Sequence, residues 1–361
     1  MNEALAWMGL AARTGWGAVA VRREVERVGD VREAWRSWAR EHPEAARAAR
    51  DRAEGWRVQT LQLGAQILTL GDPRYPPLLA QIPDPPPVLY ALGTVPEAGS
   101  WGRALAVVGT RSCTAQGATW AKRIGREWTE AGGRLVSGLA RGIDGRAHAG
   151  ALEGTCPGAQ VAVLPCSLAS IHPRMHVLLA ERLLDAGGLL VSEQPPGAQV
   201  ERWMFASRNR ILTGLAPSTV VVQSPARGGS LISARCAFDQ DRDVFAFWRG
   251  DRGAAWAGNR ALVADDLARP VRDVESLWRA VADAAQARAC GASFRSAAPN
   301  PAGVPAGCRD VWQALSATRP VSWLELNSRL GLTAAILDRQ LFTLEVQGWI
   351  RRLPGRAYLR A

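Results

Sequence analysis

The sequence predicts an α/β protein: a Rossmann-like, doubly wound, mostly parallel sheet with a small N-terminal helical module and a C-terminal winged helix. Three observations carry this prediction. First, apolar runs at 104–109 (ALAVVG), within 134–144 (RLVSGLARGID), and at 160–166, 189–196 and 219–224 stop at glycine, serine or proline and alternate with helical stretches. A sixth follows at 243–248 (DVFAFW). Parallel strands are covered by helices on both faces, so they read as continuous apolar segments. Second, residues 1–58 place apolar side chains at helical spacing, with Gly15-Trp16-Gly17 separating a first helix from a second. Third, 308–361 reads as three helices and a hairpin that turns through Pro354-Gly355.

Each element follows from its residues. The apolar tryptophans of the first module read as core rather than as a base-stacking platform. Residues 71–93 carry prolines at 73, 76, 77, 83, 85, 86 and 87, which argue against a helix or an interior strand and predict an ordered, extended strap. After residue 283 the chain turns small and proline-rich, the composition of a linker. The expected domains are therefore 1–58 (helical, hairpin-like), 59–285 (the α/β domain), a linker at 286–307, and 308–361 (winged helix). In the last, Ser322 and Thr333 are placed to cap the second and third helices.

Charge is informative only locally. The net charge of +11 rests on 44 basic residues, and all but Lys122 are arginine. Between Arg202 and Phe238 there are five arginines and no acid, an electropositive surface if the side chains converge. The six cysteines show no CxxC pair, which predicts reduced thiols and no metal site. The start of the chain lacks a signal-peptide pattern and no apolar run suits a membrane span. A cytoplasmic protein without membrane insertion is the expectation.

Ligands of doubly wound sheets bind beyond the carboxyl ends of the strands. Gly109, Thr110 and Arg111 lie there after the first strand, before a helix over about 116–131 whose start favours an anion. Ser137, Gly138 and Arg141 follow the second strand, and Arg227, Gly229 and Ser230 follow the fifth. An arginine forks two hydrogen bonds to a phosphate, so three such loops on one edge predict phosphate binding. Arg208, Asn209 and Arg210 lie on a helix leading to the fifth strand. Being two apart, the two arginines point different ways, one to the cleft and one bracing loops. Asp144 and His148 are four apart on a helix, but no third ligand or nucleophile joins them, so hydrogen bonding is the expected role. Glu193 is the one carboxylate at the strand ends placed for acid/base work. GxGxxG and GxxxxGK[ST] loops are absent, which argues against a dehydrogenase or an NTPase, and no catalytic residue or cofactor is expected. In the winged helix, Arg339 on the third helix and Arg351, Arg352 and Arg356 on the wing are placed for duplex DNA, or the module docks protein.

The ordered set YPPLL, DPPPVLYALG, AVVGTRS, VSGLARGIDGRAHAGALEG, AVLPC, SEQPPG, RNRILTGL and GGSLISA closely resembles the DNA-processing protein A (DprA, also called Smf) family from about residue 71 to 250. The C-terminal segment looks like that family's winged helix. The resemblance implies a dimeric bacterial protein that binds single-stranded DNA during natural transformation, protects the incoming strand and loads the RecA recombinase onto it, without catalysis. It implies that Arg111 contacts the strand. It also implies that Arg174, in His172-Pro173-Arg174, takes the role of a basic residue that follows a Tyr-Pro pair in relatives. His176 replaces a usual asparagine, and Gly228 a usual serine. A rival class, the lysine-decarboxylase-like nucleotide hydrolases (phosphoribohydrolase type), carries PGGxGTxxE; residues 226–234 here lack its glutamate.

Overall fold

The computed structural model describes residues 2–250, 253–296, 304–305, 307–316, 321–346, 349–353 and 357–360. It comprises two compact units, Met1–Val281 and Ala282–Ala361.

The first unit is built on nine strands: β1 (Gln66–Thr69), β2 (Val88–Gly93), β3 (Ala104–Val108), β4 (Arg134–Ser137), β5 (Gln160–Val163), β6 (Leu189–Ser192), β7 (Ser218–Val221), β8 (Asp243–Phe247) and β9 (Arg269–Val271). Their order is β1-β2-β6-β5-β4-β3-β7-β8-β9. From β6 to β9 all pairs are parallel, while β2 runs antiparallel to both β1 and β6. The six expected strands are β3 to β8. From β3 the chain winds outward through β4, β5 and β6, then returns to the other side of β3 as β7. That reversal opens a crevice between the loops after β3 and β7.

Successive strand residues face opposite layers. Val161, Val163, Leu189 and Val191 pack with Ile211, Leu212, Ala234 and Leu262 in one core. Ala162, Leu164 and Leu190 pack in the other. That second core also holds Trp7, Met8, Trp35 and Trp38 from α1 (Glu3–Ala11) and α3 (Val31–Glu41), which with α2 (Ala18–Val28) and α4 (Pro43–Gln62) form the N-terminal helices. Trp7, Trp35 and Trp38 are core, as expected, while Trp16 and Trp56 are half-buried against it. The expected separate module at 1–58 is instead continuous with the sheet's own core, and α4 runs past that boundary.

Two further expectations change. Within the proline-rich strap, α5 (Pro77–Ala80) is a short helix and β2 an interior strand. Proline is tolerated at a first helical position, where its missing N–H would have no intrahelical partner. Residues 88–93 follow the last proline and keep every N–H. The expected linker begins as helix, because α13 (Val274–Ser296) carries through an alanine- and arginine-rich stretch of good helix formers; 297–303 lie outside the described residues.

Five helices and two short ones position the crevice: α6 (Ala115–Glu130), α7 (Ile143–Glu153), α8 (Val177–Asp185), α9 (Arg202–Ser207), α10 (Asn209–Gly214), α11 (Gly229–Asp239) and α12 (Ala257–Ala264). The second unit contains α14 (Arg309–Ala314), β10 (Val321–Ser322), α15 (Trp323–Leu330), α16 (Ala334–Val346), β11 (Ile350–Leu353) and β12 (Ala357–Arg360). Its sheet order is β10-β12-β11, the winged-helix arrangement. Ser322 caps α15 by accepting from the Glu325 N–H at 3.1 Å. Val311, Trp312, Leu326, Leu337, Leu341 and Tyr358 form its core.

Candidate nucleic-acid interface

The loops after β3, β4 and β7 are joined through their backbones. Thr110 N–H donates to the Gln223 carbonyl at 2.8 Å, and Ile143 N–H donates to the Thr110 carbonyl at 3.2 Å. Gly142 makes the second contact possible. Its φ is +83°, and a Cβ there would overlap the Thr110 carbonyl and the Arg111 backbone. Asn259 on α12 fixes the third loop: its Oδ1 accepts from Ser224 N–H at 2.6 Å and its Nδ2 donates to the carbonyls of Val221 and Phe247, both at 3.0 Å. No sequence pattern marked Asn259, since its partners lie on β7, on the loop after it and on β8, which only the fold brings together.

Three depressions open on this edge, of about 300, 360 and 490 Å³, and Arg111 lines all three. The central one is walled by Arg111, Arg141, His172 and Phe205, with Arg208 and Gly138 also lining it. The second occupies the crevice between the loops after β3 and β7 and adds Arg202, Asn209, Arg227 and Ser230. The third runs past Arg141 and Arg146 to Met175 and His176. The Arg111 guanidinium lies 5.1 Å from the Phe205 ring centroid, and His172 meets Phe205 edge-on at 5.3 Å. Phe205 is thus a half-buried wall of the site rather than closed core.

The predicted residues separate into those that face solvent and those that hold the edge together. Arg111, Arg141, Arg174 and Arg227 are exposed, and none has an ion-pair partner among the described residues. Arg174 begins a 3-10 turn (Arg174–His176) and itself lines none of the three depressions, although its neighbours Pro173 and Met175 line the central one. Gly229 opens α11, whose start has no side-chain cap and faces the second depression, leaving N–H groups for an anion. Gly109 packs against Ile143 and Gln223 and serves loop approach. Asn209 is buried and lines the second depression.

Four expectations are corrected. Arg208 is 5% exposed, and its Nη1 donates to the carbonyls of Gly138, at 2.8 Å, and Val163. It braces strand ends from beneath, and burial lowers its pKa from the usual arginine value. Arg210 lines none of the three depressions: its Nε donates to Asp84 and its Nη2 to Glu193, both at 2.7 Å, which neutralises it and employs Glu193 as an ion-pair partner. Ser137 is buried with its hydroxyl donating to Val107 at 2.6 Å, and the Ser230 hydroxyl donates to Ser224 at 2.9 Å, so both hydroxyls are engaged inside the protein. The start of α6, expected to hold an anion, is occupied by protein groups. Thr114 accepts from Gly117 N–H at 3.2 Å, and Gln223 accepts the Thr114 N–H at 2.9 Å.

Asp144 and His148 take hydrogen-bonding roles. The Asp144 carboxylate accepts the Gly138 N–H at 3.2 Å, and burial pushes its pKa up to about 6, with Arg208 opposing the rise. His148 pairs with the Gln160 side chain at 2.9 Å, and burial pushes it down to about 4, so it is neutral at pH 7. His176 Nδ1 lies 2.7 Å from the Leu139 carbonyl, to which it donates. In the winged helix, Arg339 is exposed on α16. Arg351 and Arg352 lie on β11, and Arg356 and the expected Pro354-Gly355 turn lie outside the described residues.

Residues 66–282 match the family model for DNA recombination-mediator protein A, and residues 295–356 match the DprA winged helix domain. The chain is 42% identical over 187 residues to protein Smf of Synechocystis sp., an alignment covering 51% of this chain and 46% of that one. It is 38% identical over 183 residues to DNA processing protein DprA of Bacillus subtilis, covering 51% and 60%. These alignments span about half the length of the relatives. DprA of Streptococcus pneumoniae superposes with a TM-score of 0.62 at 25% identity, covering 75% of this chain and 95% of that one. DNA processing protein A of Helicobacter pylori, whose structure describes a single-stranded DNA binding mode, shares the fold with a TM-score of 0.53 at 23% identity, over 61% and 96%. By the extent of the matched core, this chain belongs to the DNA recombination-mediator protein A family.

Proposed function

We propose that the protein binds single-stranded DNA along the edge formed by the loops after β3, β4 and β7. The observation that carries this reading is Arg111, shared by three depressions whose only lining carboxylate is the buried Asp144. Guanidinium groups and the open start of α11 would track successive phosphates without reading base edges. Binding would then tolerate sequence and weaken with salt, each phosphate contact adding about 0.7 to the slope of log K against log salt. Phe205, with Arg111 over its ring, offers a surface on which a base can stack, worth about 1–3 kcal/mol in such sites.

The names of the relatives and the Helicobacter pylori structure support the same role. From the family resemblance we further propose that the protein protects single strands during natural transformation and loads RecA onto them, as a cytoplasmic dimer and without catalysis. The winged helix supplies duplex DNA contacts or a protein contact. The test is fluorescence anisotropy with an unstructured oligonucleotide at graded salt. Arg111→Ala and Arg174→Ala each lower affinity with unchanged melting temperature; unaltered binding in both, or release of free base from a nucleoside monophosphate, would overturn the reading.

A further inference from the structure

The third depression reaches beyond the site residues of the sequence reading, which gave Arg146 and Met175 no role. It is the largest of the three at about 490 Å³, and no carboxylate lines it. One wall is formed by Arg141 in the loop after β4 and by Arg146 in the first turn of α7. Arg146 is exposed and makes no ion pair among the described residues. The lining also includes His176, held by its bond to Leu139, and Met175, which is 66% exposed. A thioether left in water beside two free guanidinium groups is costly for the free protein, and it suits the flat apolar face of a nucleobase whose phosphates lie on the arginines.

We propose that this depression is a second phosphate subsite, extending the single-strand path from Arg111 onto α7 with Arg146 as its terminal anchor. The inference rests on the single-strand reading of the edge. Arg111, Arg141 and Met175 line both the central and the third depression, so an occupant of one abuts an occupant of the other. This continuity favours consecutive nucleotides of one strand over a separate small-molecule site. The site takes any unpaired strand, because guanidinium forks hold phosphates and a methionine packs against any base.

The experiment uses the full chain and a ladder of oligothymidylates of increasing length, at graded salt. Four proteins are compared: wild type, Arg146→Gln, Arg111→Ala, and Arg40→Gln, which removes an exposed cation lining none of the three depressions. Arg146→Gln is expected to bind the shortest retained oligonucleotide like wild type and long ones about 3- to 10-fold more weakly, with a salt slope shallower by about 0.7. Arg40→Gln is expected to match wild type at every length. If Arg146→Gln tracks Arg40→Gln across the ladder while Arg111→Ala binds weakly, the subsite is refuted and the edge stands. If Arg111→Ala also binds like wild type, the edge itself fails and the subsite with it.

Discussion

The crevice edge and the winged helix are both arginine-bearing surfaces, yet they present charge differently. At the edge, Arg111, Arg141, Arg146, Arg202 and Arg227 line shared depressions, and the one carboxylate among the lining residues is buried. On α16, Arg339 is the single cation of the helix, next to Asp338, and its exposed neighbours include Ile336 and Phe342, the latter 65% exposed. Residues 308–361 carry eight basic and four acidic side chains, a higher basic ratio than the α/β domain, but the described face of α16 is mixed and partly apolar. Affinity for a polyanion follows local absence of acids and shared geometry more than net charge.

The largest expected effect probes what lies beneath the edge. Arg208→Ala should destabilise the α/β unit by about 3–5 kcal/mol in urea titrations, because it strips the Gly138 and Val163 carbonyls and leaves Asp144 without its nearby charge. A loss of DNA affinity with full stability would place Arg208 among the contacts instead. Arg111→Ala should do the reverse, weakening single-strand binding by about 1.5–3 kcal/mol, or roughly 10- to 100-fold, at unchanged stability.

A pH experiment separates two buried groups under the same loops. Asp144 rises from 3.8 to about 6, so the stability it contributes is full below pH 3.8 and is lost as pH climbs through 6. His148 falls from 6.5 to about 4, so its contribution is full above pH 6.5 and is lost as pH drops through 4. The two oppose each other over that window, each on the order of 2–3 kcal/mol. Asp144→Asn should therefore leave stability rising with pH between about 4 and 6.5, and His148→Gln should leave it falling. Urea midpoints at the two ends of the window decide, and equal slopes in both variants would break the assignment. The smallest effect belongs to the other surface: Arg339→Ala should change duplex binding by at most about 1 kcal/mol and leave single-strand binding untouched.

How much was legible depended on whether the signal was local. The six parallel strands showed because burial on both faces makes each an apolar run. β1 and β9 are short edge strands, and β2 hides behind Pro85-Pro86-Pro87, so their sequences lack that signature. The strand-end rule located the edge through Arg111, Arg141 and Arg227. Spacing alone told that Arg208 and Arg210 diverge, but not that Arg208 would be buried against carbonyls while Arg210 met Asp84 and Glu193, because those partners arrive only with the tertiary fold. Asn259 was silent for the same reason, and Arg146, inside a quoted segment, had no role assigned because spacing alone does not bring it to Arg111 and Met175. Ser137 and Ser230 read as members of the binding loops, and only the fold shows their hydroxyls engaged by Val107 and Ser224.

Gly142 sets a narrow tolerance on this design. With a left-handed backbone and no room for even a methyl against Thr110 and Arg111, that position couples the spacing of two guanidinium groups to a single missing carbon. A variant with alanine there would retain every charge on the surface and still misalign Arg111 from Arg141. It would separate what electrostatic attraction alone gives from what registration of neighbouring phosphates gives.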